Sequence, residues 1–145
     1  MGAREMIVYK IVRKTHNLIS YSWGTLEYIP GEYTEPYMNW GPLCAYNSLR
    51  AAVMGIIQDY GDIEKARRRI CNYELWEATA IVSKENMAWD DTGEERYYST
   101  YHDGLSAMKD IEGIVFCSHI RLDDKMDLQK IFNEIFVVKY FERLK

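Results

Sequence analysis

The hydrophobic positions near the start of the chain alternate with polar ones at a period of two. The stretch "MIVYKIVRK", residues 6–14, sorts into two sets on opposite sides: Ile7, Tyr9 and Ile11, and Val8, Lys10 and Val12. Such alternation predicts a β-strand with one buried face.

Similar short patterns predict further strands. They lie at residues 17–23, 25–29, 43–46, 73–83 and 113–122. Gly24 and Thr25 stand between the first two of these, which favours a tight hairpin. The last of them, "GIVFCSHIRL", is almost wholly apolar at its start, so we expect it to lie centrally in a sheet.

A helical period first appears after residue 48. Its apolar face is formed by Leu49, Ala52, Val53, Ile56, Ile57 and Tyr60. Asn47 or Ser48 is the expected N-cap, and Gly61 ends the pattern. A second short helix or turn is expected after Asp62, at residues 62–69.

A third helix is predicted over residues 122–136. Its apolar side carries Leu128, Ile131, Phe132 and Ile135. The final stretch "VVKYFERL", within residues 136–144, fits either an extension of this helix or a last strand, and we favour the strand.

Strands cluster early and late in the chain, without a regular alternation of strands and helices. This arrangement predicts an α+β domain: a mostly antiparallel sheet of about five to seven strands with two main helices packed on it. A length of 145 residues fits one domain over residues 1–145, with residues 1–5 as a disordered extension.

Charge and composition narrow the class of partner. A net charge of -4 argues against general nucleic-acid binding. No apolar run is long enough to span a membrane, and we expect no secretory signal. Three widely spaced cysteines favour a reducing compartment, so the predicted location is the cytoplasm.

The first candidate surface is the loop "PGEYTEPYMNWGP", residues 30–42. Its Tyr33, Tyr37, Met38 and Trp40 offer apolar area on a segment shaped by proline and glycine. Aromatic residues on such a loop suit a ligand pocket or a protein interface, and Tyr37 and Trp40 are the candidate contacts. The competing interpretation, that Trp40 and Tyr37 cover the core from one end, is the one we favour.

The second candidate surface is "WDDTGEERYYSTYHDG", residues 89–104, whose candidate contacts are Trp89, Tyr97, Tyr98 and His102. Its acids and histidine are possible ligands for a cation, but their spacing matches no ligand template, so we predict no metal site. A solvated loop between two strands, pinned by its tyrosines, is the simpler interpretation.

Familiar catalytic and phosphate-binding motifs are absent from the sequence. Cys44 with His16, His102 or His119 would in principle supply a nucleophile and a base for thiol catalysis, but Cys44 and Cys117 stand in apolar runs typical of inert packing. Arg67 to Arg69 form the one dense basic spot, which suits a solvated face better than an anion site.

Several short segments carry a family resemblance across roughly the first 80 residues. They are "YKIVR", "LISY", "LEYIPGEYTEP", "GPLCAYNSLRAA" with Ala51 and Ala52, and "ELWEATAIV". In this order they resemble small uncharacterised domains of phage and prokaryotic genomes. The layout also resembles ADP-ribosyltransferase-like folds, which implies an NAD-binding cleft. Tyr46, Ser48 and Glu77 are residue types that such enzymes use, but no motif assigns them a role.

Two function hypotheses follow. The first is a small soluble binding or interaction protein without a cofactor, which uses the aromatic loop surface to contact a protein partner or a small-molecule ligand. The alternative is an enzyme acting on a nucleotide-like or NAD-like substrate, which requires a concave pocket where an acid meets a basic or aromatic partner. A homodimer with aromatic residues in its interface is a third possibility.

Overall fold

The computed structural model describes residues 5–14, 18–20, 26–36, 43–82 and 113–144. These residues form an antiparallel α+β fold, the predicted class. The strands are β1 (Glu5–Arg13), β2 (Leu18–Ser20), β3 (Glu27–Tyr28), β4 (Tyr33–Thr34), β5 (Leu43–Tyr46), β6 (Tyr73–Val82) and β7 (Ile114–Met126). The helices are α1 (Leu49–Tyr60), α2 (Ile63–Arg69) and α3 (Leu128–Leu144), and a 3₁₀ turn, Ile70–Asn72, leads from α2 into β6.

Four strands pair in a closed ring. β1 pairs with β6 along its whole length, β6 pairs with β7, β7 pairs with β5, and β5 returns to β1 where Tyr46 faces Tyr9. The short strands extend this ring, since β2 adds to β1, β3 to β2 and β4 to β7. The sheet therefore has an inner side and an outer side.

The inner side holds one hydrophobic cluster, called here the inner cluster. Its buried members are Val8, Val12, Leu26, Tyr28, Leu43, Ala45, Ala78, Ala80, Cys117, Ile120 and Leu122. The diameter of a closed sheet grows with the number of its strands, so a ring of four leaves little room inside. Small residues such as Ala45, Ala78 and Ala80 fit this narrow interior.

The outer side is covered by helices over only part of its area. Ile11 of β1 and Leu75 of β6 pack there with Val53 and Ile56 of α1 and with Phe132 of α3. Burying such apolar side chains is the main force that holds these helices to the sheet. The opposite end of the same outer face carries polar residues and forms the candidate site described below.

The helix signals of the sequence are confirmed. Ser48 is the N-cap of α1, because its hydroxyl accepts a hydrogen bond from the Ala51 amide, and Gly61 ends the helix at φ 74°. Asp62 caps α2 by accepting from the Glu64 amide. None of the helices in the described part of the chain combines the length and apolarity needed to cross a membrane.

Three element predictions were wrong. Residues 122–126 belong to β7, because they pair with the start of β6, and α3 begins only at Leu128. Residues 137–144 continue α3 rather than forming a strand; Ile135, Val138 and Phe141 keep a helical spacing. The loop at residues 30–42 contains the short strand β4, which pairs with β7.

The single buried face predicted for β1 was also wrong. Val8, Lys10 and Val12 are buried inside the ring, Ile11 is buried under the helices, and Ile7 is exposed. Ring closure buries one side of β1, and helix packing buries part of the other. The predicted hairpin at Gly24 and Thr25 lies outside the described residues.

Candidate functional site

Among the residues that the structure describes, none covers the outer face of the sheet at the end where β1 begins and β6 ends. Cross-strand pairing places Ile7, Thr79, Arg121 and Tyr33 in one row across β1, β6, β7 and β4. The next row holds Glu5, Ile81 and His119. We call this surface the open patch; its members are Glu5, Ile7, Tyr33, Glu35, Thr79, Ile81, Ser118, His119, Arg121 and Asp123.

A tight turn positions Tyr33 on this patch. The amide of Glu32 donates to the Ile29 carbonyl oxygen at 3.1 Å, and Gly31 adopts φ 86°. Pro30 followed by a residue with positive φ fits a type II turn, where glycine avoids the strain of a side chain. The Gly31 amide also donates to the Leu122 carbonyl oxygen at 3.0 Å, which fastens the turn to β7.

Three neighbours then hold the ring of Tyr33. The Arg121 guanidinium lies 5.1 Å from the ring centre, and the His119 ring meets it edge-on at 6.1 Å. The Tyr33 hydroxyl donates to Glu5 Oε1 at 3.4 Å. The ring is thus fixed in place while 38% of the residue stays exposed.

A β-bulge in β7 brings Ser118 beside His119. Ile81 of β6 faces His119 and Val82 faces Cys117, so Ser118 is the extra residue. Successive side chains of a regular strand point to opposite faces, but a bulge changes their direction. Ser118 Oγ therefore lies 2.9 Å from His119 Nδ1, and His119 Nε2 lies 2.8 Å from Glu35 Oε1.

The hydrogen bonds that join Ser118, His119 and Glu35 constrain which of their atoms carry a proton. A carboxylate only accepts, so His119 Nε2 carries a proton and donates to Glu35. When the imidazole is neutral, Nδ1 accepts a hydrogen bond from the Ser118 hydroxyl. When it is charged, Nδ1 donates to Ser118 Oγ, and the hydroxyl is then free to donate to the Ile81 carbonyl oxygen at 3.3 Å. In both states these hydrogen bonds join Glu35, the residue after β4, to β7.

A second bulge in β7 brings Asp123 beside Arg121 and Thr79. Glu77 faces Asp124 and Ala78 faces Leu122, which leaves Asp123 as the extra residue. Its carboxylate accepts from Arg121 Nε at 2.7 Å and from the Thr79 hydroxyl at 2.6 Å.

These contacts move two pKa values in opposite directions. The hydrogen bond to Asp123 is the main cause that raises the pKa of Arg121 above its usual value. Burial alone would raise the pKa of Asp123, but the hydrogen bonds from Arg121 and Thr79 outweigh it and lower that pKa. Both groups stay charged at neutral pH, which keeps Arg121 in place over Tyr33.

The residues named from the sequence as candidate contacts lie outside the described part of the chain. They are Tyr37, Trp40, Trp89, Tyr97, Tyr98 and His102. The described half of the aromatic loop, residues 30–36, does reach the open patch through Tyr33 and Glu35. Sequence reasoning treated Tyr33 only as an anchor of that loop and gave Glu35, Ser118 and Arg121 no role.

The buried thiols of Cys44 and Cys117 are poor nucleophiles in this fold. Burial raises the pKa of Cys44 to about 11 and that of Cys117 to about 12, so both stay protonated at neutral pH. His119, a candidate base for thiol catalysis, is hydrogen-bonded to Ser118 and Glu35. Within the described ranges, no three His, Cys, Asp or Glu side chains are grouped so that they would hold a metal ion.

Part of the basic spot on α2 is occupied by neighbours. Arg67 forms an ion pair with Glu64 at 3.5 Å, and its guanidinium lies 4.3 Å from the centre of the Phe136 ring. It therefore helps to connect α2 to α3.

A groove lies at the other end of the sheet, beside the start of α3, with a volume of about 470 Å³. Its lining includes Lys14, Cys71, Tyr73, Glu74 and Lys125.

Compared with protein-family models, with curated proteins and with solved structures, the chain matches none of them.

Proposed function

We propose that this protein is an interaction module of the cytoplasm that binds a protein partner through the open patch. The observation that carries the proposal is Tyr33, an exposed aromatic ring fixed by three neighbours in the same row as the exposed Ile7. Aromatic anchors of this kind dominate the energy of many protein interfaces. The free state of Cys44, Cys71 and Cys117 supports a reducing location.

Preorganisation is the first argument for this role. Binding costs free energy when mobile side chains must be ordered, and a ring that is already held avoids most of that cost. Arg121, His119 and Glu5 hold Tyr33 from different sides before any partner arrives. Ile7, which is 57% exposed, adds apolar area at the opposite end of the same row.

Charge decides the kind of partner. The open patch carries the carboxylates of Glu5, Glu35 and Asp123 against the guanidinium of Arg121 and the imidazole of His119. The Glu35 side chain is 69% exposed even though it bonds His119. The patch thus has a surplus of negative charge, as does the chain at -4. A protein segment that presents lysine or arginine beside an apolar side chain is complementary to it.

Peptide selection tests this function. Short random peptides displayed on phage are selected against the immobilised protein, and we expect enrichment of sequences with a basic residue next to an aromatic or aliphatic one. Binding of the selected peptides is then measured with Ile7→Ala and with Ile29→Ala. Ile29 is a matched control because it is 59% exposed but lies in the β3–β4 turn, outside the patch.

The outcomes separate cleanly. Ile7→Ala should weaken peptide binding about tenfold, the loss expected for about 1.4 kcal/mol of contact energy, while Ile29→Ala leaves it unchanged. Acidic consensus peptides, equal effects of both variants, or no enrichment at all would each reject the proposal. Self-association that Ile7→Ala abolishes would replace a foreign partner by a second copy of the chain.

The alternative enzymatic function is favoured by one observation, the groove. Glu74 pairs with Lys125 there at 3.2 Å, and Tyr73 lines the same groove, so an acid, a base and an aromatic group share one concave site, as the alternative requires. Binding of a nucleotide-like substrate has to come before any turnover.

A further inference from the structure

The groove lies at the opposite end of the sheet from the open patch, where β1 ends and β6 begins. The 3₁₀ turn and the start of α3 complete its walls. Its volume of about 470 Å³ falls within the range of small-molecule sites. It is therefore a separate feature, independent of any partner of the open patch.

The acids of the groove are already engaged. Glu74 accepts from the Trp76 indole at 3.1 Å and pairs with Lys125 at 3.2 Å, and its side chain is only 11% exposed. Asp127 accepts from the Lys130 amide at 3.1 Å at the start of α3. The charge of Glu74 is therefore neutralised by Lys125, and the exposed carboxylate of Asp127 is engaged at the N-terminus of α3.

The bases of the groove are not matched to the same degree. Lys14 is exposed, and within the described residues no carboxylate forms an ion pair with its ammonium group. Lys125 has one partner, Glu74, and 54% of its side chain is exposed. Lys14 is therefore the cation of the groove whose charge no described carboxylate neutralises.

The remaining lining is apolar or aromatic. Ile70 and Leu128 are buried below the groove, and Met126 is half-buried. The Tyr73 hydroxyl lies 2.6 Å from the Tyr60 hydroxyl, which holds the Tyr73 ring in place. Thioether and aromatic groups of this kind pack well against a planar ring.

We propose that the groove binds a small molecule that joins one phosphate or carboxylate group to an aromatic ring. Lys14, assisted by Lys125, binds the anionic group, and Tyr73 and Met126 contact the ring. This site goes beyond the partner surface proposed above, and it is the binding step that the alternative, enzymatic function would need.

Cys71 gives the groove its own reporter. It lines the groove and is exposed, whereas Cys44 and Cys117 are buried. Iodoacetamide is uncharged, so its rate of reaction with Cys71, followed by mass spectrometry of the Cys71 peptide, measures access to the groove. Four probes separate charge from ring: adenosine monophosphate, benzoate, adenosine and inorganic phosphate.

Adenosine monophosphate or benzoate at saturation should slow alkylation of Cys71 at least about twofold, because the bound state shields the thiol in proportion to its occupancy. Adenosine and inorganic phosphate should protect much less. Lys14→Gln should remove the protection, while Lys65→Gln, a change at an exposed lysine of α2 outside the groove, should keep it.

Other results would overturn the proposal. Protection by adenosine equal to that by adenosine monophosphate would show that the anionic group is not bound. Protection by phosphate alone at the same level would show that no ring is bound, and no protection by any probe would show that the groove is not a site. A thermal unfolding curve of Lys14→Gln that matches the wild type shows that a lost response reflects binding rather than folding.

Discussion

The part of the molecule that the structure describes contains two pairs in which a cation lies over a tyrosine ring, one inside the sheet and one on its surface. Inside the ring of strands, Lys10 Nζ lies 5.5 Å from the centre of the Tyr28 ring. On the open patch, the Arg121 guanidinium lies 5.1 Å from the centre of the Tyr33 ring. The two pairs have similar distances between cation and ring centre but opposite surroundings.

The surroundings set the charge of each cation. Lys10 is 2% exposed, and burial lowers its pKa, although the nearby thiols of Cys44 and Cys117 act in the other direction. Its amino group donates to the Cys44 carbonyl oxygen at 2.7 Å. Arg121 is instead paired with Asp123, which raises its pKa. One cation tends towards neutrality, and the other is held charged.

The difference shows that the same contact serves different ends. In the interior, Lys10 fills volume and satisfies a buried main-chain oxygen, so its replacement should change stability. On the surface, Arg121 orders a ring that remains accessible, so its neighbourhood should matter for binding. The predictions below test this contrast.

The largest expected effect comes from truncating Lys10. Lys10→Ala removes a long buried side chain and leaves a cavity, so we expect the free energy of unfolding to fall by about 3 kcal/mol. Lys10→Met keeps most of the volume and removes a group that is costly to bury, which offsets the lost hydrogen bond to Cys44. It should stay within about 1.5 kcal/mol of the wild type.

Urea unfolding of both variants at neutral pH provides the measurement. The informative quantity is the difference between them, because it isolates volume from charge. If Lys10→Met were as destabilising as Lys10→Ala, the amino group itself would be essential to the interior, and the role assigned to burial would be wrong.

The next effect is a loss of stability at alkaline pH. The pKa of Cys44 is raised from 9.0 to about 11 and that of Cys117 to about 12, so the unfolded chain releases these protons first. The free energy of unfolding therefore falls as the pH rises from about 9 to about 11. Lys10 acts oppositely, because its lowered pKa means that the unfolded chain binds the proton more tightly.

Lys10→Met separates the two contributions. With the lysine absent, only the thiols remain, and the free energy of unfolding should drop by about 2 to 3 kcal/mol between about pH 8 and about pH 10. The wild type should lose clearly less over the same interval. A steeper loss in the wild type than in Lys10→Met would contradict the lowered pKa of Lys10.

The elements of this fold were largely readable from periodicity, whereas the two sides of the sheet were not. The helical face of Leu49 to Tyr60 and the caps Ser48 and Asp62 depend on local spacing, which the chain carries directly. Burial of Lys10 depends on closure of the ring between β1 and β5. That pairing joins distant residues, and no local pattern encodes it.

The candidate site was harder to predict for a related reason. Ser118 and Asp123 contribute because each is the extra residue of a bulge, and a bulge is defined by the partner strand. In the sequence "CSHIRLDD" an unbroken alternation would separate Ser118 from His119. The proline and glycine before Tyr33 were the one local signal that indicated an ordered aromatic residue there.

A smaller effect is expected at acid pH on the open patch. The pKa of Asp123 is lowered, so its contribution to stability is present above the pKa of an unfolded aspartate, about 3.9, and is lost as the pH falls further. Asp123→Asn should flatten the acid end of the stability curve. The change should be much smaller than the alkaline one, because solvent screens this exposed pair.

Asp124→Asn is the matched control, since Asp124 is the adjacent aspartate of β7 and is exposed. Both variants are compared with the wild type by thermal unfolding between about pH 2 and about pH 5, the interval in which an aspartate titrates. An equal response of the two variants would mean that the bonds to Arg121 and Thr79 are not the source of the effect.

The smallest expected change in stability comes from Tyr33, although its effect on binding should be large. Tyr33→Ala removes a half-exposed ring, so the free energy of unfolding should stay within about 0.5 kcal/mol of the wild type. Selected peptides should bind at least about tenfold more weakly to it. Tyr33→Phe keeps the ring over Arg121 and loses only the 3.4 Å bond to Glu5, so it should bind almost as the wild type does.

Tyr28→Ala tests the other member of the comparison by the same measurements. That ring is 2% exposed inside the strands, and its removal should cost about 3 to 5 kcal/mol of stability, as for other large buried aromatics. A loss of similar size for Tyr33→Ala would show that Tyr33 holds the fold together as Tyr28 does. The open patch would then be a structural edge, and the surface that binds a partner would have to be sought elsewhere on the molecule.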